Sequence, residues 1–247
     1  MGEQLTENLG NIALWNGAFA LACVPAAAMA GRQFRWQWLV AAFLLFNLNI
    51  ALVLDFFGLN ERIYALAGSP ETTFNWAGKI TALSASVLIL CTPFINLRAA
   101  GVTFRQDQKS FIGWIVFAAL CALGVYIGLQ IENDTHSAET IAYQLTMPSL
   151  EEEIFYRGIF LFCLVKAFGD GPRILWSNFG SAALISTLVF TIIHCLFWGA
   201  SGIQFSTEAF LFAGVFGLVL TWMRTNTGSI LLPILMHSAI NTIWRLF

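Results

Sequence analysis

Pro148-Ser149-Leu150-Glu151-Glu152-Glu153-Ile154-Phe155-Tyr156-Arg157 opens a run that continues to Phe168 with Lys166 as its one further charge. The run is long and apolar enough to cross a bilayer as a helix. A charge in hydrocarbon costs about 2.5–3.5 kcal/mol on insertion scales, so an acidic turn followed by an arginine marks a functional site rather than filler. Two further polar islands lie in comparable apolar stretches, Phe190-x-x-x-His194 and His237-x-x-x-Asn241. Glu152, Glu153, Arg157, two imidazoles and a carboxamide on three separate spans predict one convergent site.

The rest of the chain fits a membrane protein. Of 247 residues, 58% are hydrophobic and 11% charged, where a soluble domain carries about 25% charged residues. Mean hydropathy is +0.73. The net charge of −2 and the lack of a basic run exclude a nucleic-acid partner. Cys23, Cys91, Cys121, Cys163 and Cys195 are dispersed in apolar segments without a C-x-x-C pair and read as small buried hydrophobes. Glu3 and Glu7 precede the first apolar run where a signal peptide would be basic.

Eight apolar segments can be drawn, near 11–30, 37–58, 78–97, 111–130, 148–168, 179–198, 208–223 and 229–246. The seventh is short enough to be tilted or interfacial. In lipid such runs satisfy their backbone as helices, so the fold class is all-α, a polytopic membrane protein with its polar site between helices 5, 6 and 8. It forms a single membrane domain over 1–247, with four motif-free spans in 1–130 and catalytic core spans in 148–246. Gly124-x-x-x-Gly128 offers a helix-packing face. Arg32, Arg35, Arg98, Arg105, Lys109, Lys166, Arg173 and Arg224 fall on one side of this scheme. Arg62, Lys79 and Arg245 fall on the other, with Glu3, Glu7, Glu61, Glu71, Glu132, Asp134, Glu139 and Glu208. The positive-inside rule then puts both termini and the mouth of the site outside the cytoplasm. At 1.5 Å per residue, Glu152 lies about 6 Å into its span from Pro148, His194 about 6 Å from the same face, and His237 about 12 Å deep.

On a helix, Glu153 and Arg157 are i and i+4 in the favourable acid-first order, a pairing that keeps both charged at depth. Glu152 lies about 100° further round, free to serve as a general base. A blander reading makes Ser149 an N-cap and Glu152 the N3 acid of a capping box. Phe190 and His194 share a face, so the ring can limit where the imidazole points, although a histidine near an interface can equally be an interhelical contact. His237 and Asn241 also share a face; they can donate to a developing oxyanion or form a polar clasp between helices.

These motifs, E-E-x-x-x-R, F-x-x-x-H and H-x-x-x-N in order on successive spans, resemble the CPBP family: CAAX-type prenyl-protein endoproteases and bacteriocin-processing or immunity proteins, also called Abi. The likeness covers residues 152–241. It implies a glutamic intramembrane endopeptidase with eight helices. In that scheme Glu152 and His194 activate a water, His237 and Asn241 form the oxyanion hole, and Glu153 and Arg157 orient Glu152. No cofactor is implied. The partners are the lipid bilayer and a peptide or membrane-anchored protein substrate, and the location is an integral membrane of bacterial inner-membrane type.

Two rivals stand beside this. Glu152, Glu153, His194 and His237 could hold zinc in a zinc-dependent membrane protease, although helical H-E-x-x-H is absent and Arg157 opposes a cation. A non-proteolytic immunity or scaffold protein would keep the polar cluster for binding. An outward-facing mouth favours a peptide or C-terminal anchor over a cytosolic prenylated tail as substrate.

Overall fold

The computed structural model describes residues 2–67, 72–106, 110–131 and 136–246. Glu71, Lys109, Glu132 and Asp134, which enter the charge count, lie outside the described residues. The described chain is mostly helical. Its helices are α1 (Gly2–Ala30), α2 (Trp36–Val53), α3 (Leu59–Ala67), α4 (Trp76–Leu90), α5 (Phe111–Gly128), α6 (Ala138–Glu152), α7 (Leu161–Phe168), α8 (Ser181–Cys195), α9 (Thr207–Thr227) and α10 (Leu231–Thr242). A π-helical segment, Glu153–Phe160, joins α6 to α7 without a break.

Among the described residues, four helices are long and apolar enough to cross a membrane: Gln4–Gln33, Trp36–Val53, Phe111–Gly128 and Thr207–Thr227. The last corrects the expectation of a short seventh segment. Its helix starts at Thr207, where the Ser206 hydroxyl accepts from the Ala209 N–H, and runs to Gly228, whose φ of 71° ends it. α4 and α8 are apolar but only 15 residues each. On α5, Ile115, Leu123 and Tyr126 are exposed while Gly113 and Gly128 are buried. So apolar an outer surface suits lipid rather than water. A Cβ added to Gly124 would lie 3.3 Å from Ile243, so this glycine does allow close packing.

The continuous helix through α6, the π segment and α7 forms the axis of the molecule. Phe155, Ile159, Phe160, Cys163 and Leu164 along it are at most 1% exposed. Phe160 meets Phe19 of α1 and Phe46 of α2 at ring-centroid distances of 5.4 and 5.6 Å. A smaller cluster of Leu220, Met223, Leu232 and Met236 joins α9 to α10.

The axial helix corrects the fifth span, expected to begin at Pro148. It begins at Ala138, capped by Ser137, whose hydroxyl accepts from the Thr140 N–H. Ser149 is therefore not an N-cap; it lies mid-helix and donates back to the Thr146 carbonyl at 3.0 Å. Pro148 is tolerated inside the helix. Glu152 thus lies about 21 Å along its helix at 1.5 Å per residue, rather than about 6 Å. The sixth span also ends early. After Cys195 the chain turns into an antiparallel hairpin, β3 (Leu196–Gly199) with β4 (Gly202–Phe205), closed between Gly199 and Gly202. With a smaller hairpin, β1 (Arg173–Ile174) and β2 (Ser177–Asn178), it is the departure from an all-α chain. Of the cysteines, Cys23, Cys163 and Cys195 are buried as expected; Cys91, at the end of α4, is exposed and Cys121 is half-buried.

Candidate active site

Three consecutive acids leave the axial helix in three directions. Glu151, Glu152 and Glu153 are 1%, 7% and 0% exposed, so each needs a partner inside the protein. Glu151 accepts from the Asn49 side chain of α2 at 2.6 Å and from Lys79 Nζ of α4 at 2.6 Å. Glu152 gives one oxygen to the same Lys79 Nζ at 2.7 Å. Its other oxygen, Oε2, is buried without a hydrogen-bond partner among the described residues and lies 3.7 Å from His194 Nε2. Glu153 accepts through Oε1 from Arg157 at 3.0 Å and from His237 Nδ1 at 2.8 Å.

Local helix geometry produces part of this. Glu153 and Arg157 meet as the i,i+4 pair that the sequence predicts. His194 reaches back one turn, its Nδ1 donating to the Phe190 carbonyl at 2.6 Å. The Phe190 ring lies 4.5 Å from the His194 ring and 6.3 Å from that of His237, with the Arg157 guanidinium 3.9 Å above its centroid. Phe190 therefore contacts both imidazoles and covers the buried arginine, a wider role than limiting one ring.

The site residues fall into two adjoining groups. Glu152 and His194 face a cavity of about 230 Å³, whose wall also includes Trp15, Asn49, Lys79 and Tyr156. Glu153, Arg157 and His237 form the second group, outside that wall. Asn241 is half-buried one turn beyond His237, and its carbonyl accepts from the Arg245 guanidinium. One expected contact is not made. Glu153 and Arg157 reach His237; the side chain that holds Glu152 is Lys79.

Lys79, Glu151 and Asn49 were missed as site residues. The sequence reading counts Lys79 as a loop charge because it sits at the edge of the third apolar segment. Its side chain is 13% exposed and bridges two carboxylates. The available signal was stoichiometric: three adjacent acids with one arginine on their own helix require a cation from elsewhere. Seen from α2, α4 and α8, the site lies near helix ends, at Asn49, Lys79 and His194, beside the β3–β4 hairpin. Trp15 Nε1 of α1 donates to the Leu196 carbonyl at 2.7 Å and the Asn11 side chain accepts from the Trp198 N–H at 2.7 Å, fixing that hairpin.

Residues 134–243 match the family model described as Type II CAAX prenyl endopeptidase Rce1-like. All three motifs lie inside the match, which is consistent with the CAAX-protease, or CPBP, family. No curated protein and no solved structure matches the chain.

Proposed function

We propose, from the Rce1-like domain at residues 134–243, that the chain is a glutamic intramembrane endopeptidase in which Glu152 and His194 activate a water against a peptide bond. The observation that carries this reading is the 3.7 Å approach of Glu152 Oε2 to His194 Nε2. A carbonyl can only accept, so His194 Nδ1 bears the proton donated to Phe190 and a neutral ring presents a lone pair at Nε2. Two acceptors then face each other, and a water is the species that donates to both. Loss of its proton to this pair lets the oxygen add to the scissile carbonyl carbon; the same proton passes to the nitrogen as the C–N bond breaks. Lys79 acts as a positioning residue, occupying one Glu152 oxygen and leaving the other to the water. We assign Asn241 and doubly protonated His237 to the developing oxyanion: Nδ1–H donates to Glu153, which Arg157 also holds, so only the imidazolium form leaves an N–H at Nε2 to donate.

The same reading takes the eight apolar segments as eight crossings of one membrane domain, with its catalytic core in 148–246. It needs no cofactor. Lys79 on Glu152 and Arg157 on Glu153 already meet the charge that a zinc ion would have to displace. The substrate is a peptide or membrane-anchored protein tail, and the charge bias favours one presented at the non-cytoplasmic face of a bacterial-type inner membrane.

The test is cleavage of membrane-anchored peptides by the purified protein. Glu152→Gln keeps the shape and removes the base, so turnover is expected to fall about 10²-fold or more with the fold intact. Wild-type turnover in this variant would remove Glu152 as the base, and absence of cleavage by the wild type itself would leave the immunity or scaffold reading. Chelation with EDTA or phenanthroline is expected to leave activity unchanged. A loss that zinc restores would transfer the site to metal catalysis.

A further inference from the structure

The end of the molecule away from Glu152 carries a second polar concentration that catalysis does not use. Here α1, α7 and α9 reach their C-terminal ends and the loop after α4 passes between them. A cavity of about 450 Å³ is lined by Arg98, Arg105 and Arg224, with Asn96, Thr103 and Asn178. Beside it, a cleft of about 690 Å³ is lined by Arg32, Arg35 and Lys166. The two share Ala99, Phe162, Val165 and Asp170 in their walls, so among the described residues six cations meet one carboxylate. Among the described residues, no ion pair joins Arg32, Arg35, Arg98, Arg105 or Lys166 to an acid.

Orientation in the membrane requires only that basic residues occupy the loops. It does not require a walled cavity. Arg224 is 8% exposed and donates from Nε to the Arg157 carbonyl at 3.0 Å and from Nη2 to the Ala99 carbonyl at 2.7 Å. The loop that it holds is fastened twice more. The Ile230 N–H donates to the Gly101 carbonyl at 2.9 Å, and the Ser229 hydroxyl to the Thr103 carbonyl at 2.5 Å. Gly101 has φ of 75°, and a Cβ there would run into the Arg224 guanidinium. The cavity is thus a built feature with Asn and Thr donors beside its arginines. Apolar rings flank it: Phe104 is 87% exposed next to Arg105, and Trp36 is 61% exposed next to Arg35. Aromatic rings beside cations at helix ends mark the boundary between lipid and water.

We propose that these joined cavities bind a phosphate group, that of an anionic phospholipid headgroup, with Arg98, Arg105 and Arg224 around the phosphate and the acyl chains lying along Phe104. Arginine matches phosphate oxygens in paired hydrogen bonds, and basic pockets between spans recognise such headgroups. The proposal stands apart from the catalytic assignment, because it uses none of those residues.

The experiment is thermal unfolding of the full chain in neutral detergent, with and without phosphatidylglycerol, phosphatidylcholine or inorganic phosphate. Phosphatidylglycerol is expected to raise Tm by about 3–10 °C, in line with saturating a site on the native state. Phosphatidylcholine should give no comparable rise. In Arg98→Gln/Arg105→Gln the increment should vanish, while Glu152-dependent cleavage in detergent persists. Native mass spectrometry should find the lipid on the wild type and not on the variant, which keeps the test valid if the variant's own Tm drops. Equal shifts from both lipids, or lipid retained by the variant, would overturn the proposal. A shift that inorganic phosphate reproduces alone would give the site to a free phosphate and overturn the lipid assignment.

Discussion

Lys79 is the residue on which the acidic turn depends. Its ammonium touches carboxylates of both Glu151 and Glu152, each less than a tenth exposed. Removing one partner of a buried ion pair leaves uncompensated charge and costs roughly 3–5 kcal/mol. Lys79→Met is therefore expected to lower stability by that order and cleavage by about tenfold or more, read as Tm and kcat. Lys79→Arg should retain more of both. A Met variant of unchanged stability and turnover would remove Lys79 from the site. At this scale the sequence is informative where chemistry is local. Glu153 and Arg157 pair through one helical turn, and His194 and Phe190 likewise, so spacing alone reveals them. Lys79 and Asn49 meet Glu151 across distant parts of the chain, and no local period encodes such contacts. That the Glu153–Arg157 pair meets His237 while Lys79 holds Glu152 was illegible for the same reason, since it depends on which neighbouring helix each acid faces.

At the scale of elements, hydropathy located the apolar segments but not their ends. Ser137 rather than Ser149 caps the axial helix, and hydropathy placed the start too late because Ala138–Met147 is too polar to score as a span yet still folds as a helix. The π segment is equally silent in sequence, because eight residues are too few turns of i→i+5 bonding to leave a repeat. Such insertions concentrate at functional sites, and this one begins at Glu153. The short α3 also escaped: it is too polar for a span, and its start is held by Asp55, which accepts from the Leu59 and Asn60 N–H groups at 2.6 and 3.0 Å. The loop after α4 gives an element-scale prediction. Gly101→Ala would place a side chain in the left-handed region, a cost of about 1–3 kcal/mol, and push Arg224 off its carbonyl partners. A Tm fall of about 2–10 °C is expected for a chain of this size. An unchanged Tm would mean that Arg224 does not hold the loop.

For the whole molecule, the structure distributes its basic residues unevenly. Lys79 is paired with Glu151 and Glu152 beside the candidate site. Arg32, Arg35, Lys166, Arg98, Arg105 and Arg224 come together around adjoining cavities. Asp170 in the basic cleft and Ser201 in the hairpin turn are both exposed, which suits them to labelling. In a chain freed of its native cysteines, a single cysteine at Ser201 is expected to react with an impermeant maleimide in intact cells. One at Asp170 should react only after permeabilisation. The opposite pattern would turn the site to the cytoplasm and make a prenylated tail the leading substrate.

The contact between Lys79 and Glu151 also bears on the order in which the protein is made. The two residues are 72 positions apart, with the cation first. Synthesis runs from the N-terminus, so Lys79, Asn49 and the helix carrying Trp15 leave the ribosome before the acidic turn does. The span with three glutamates is poorly suited to enter lipid alone; it enters a membrane where its counter-ion has already arrived. A gene fragment encoding only residues 134–243 would lack that ammonium, the amide that holds Glu151, and the indole that fixes the strand after His194. The matched segment is therefore not self-sufficient in biogenesis, and it is expected to insert inefficiently unless residues 2–106 are supplied alongside it.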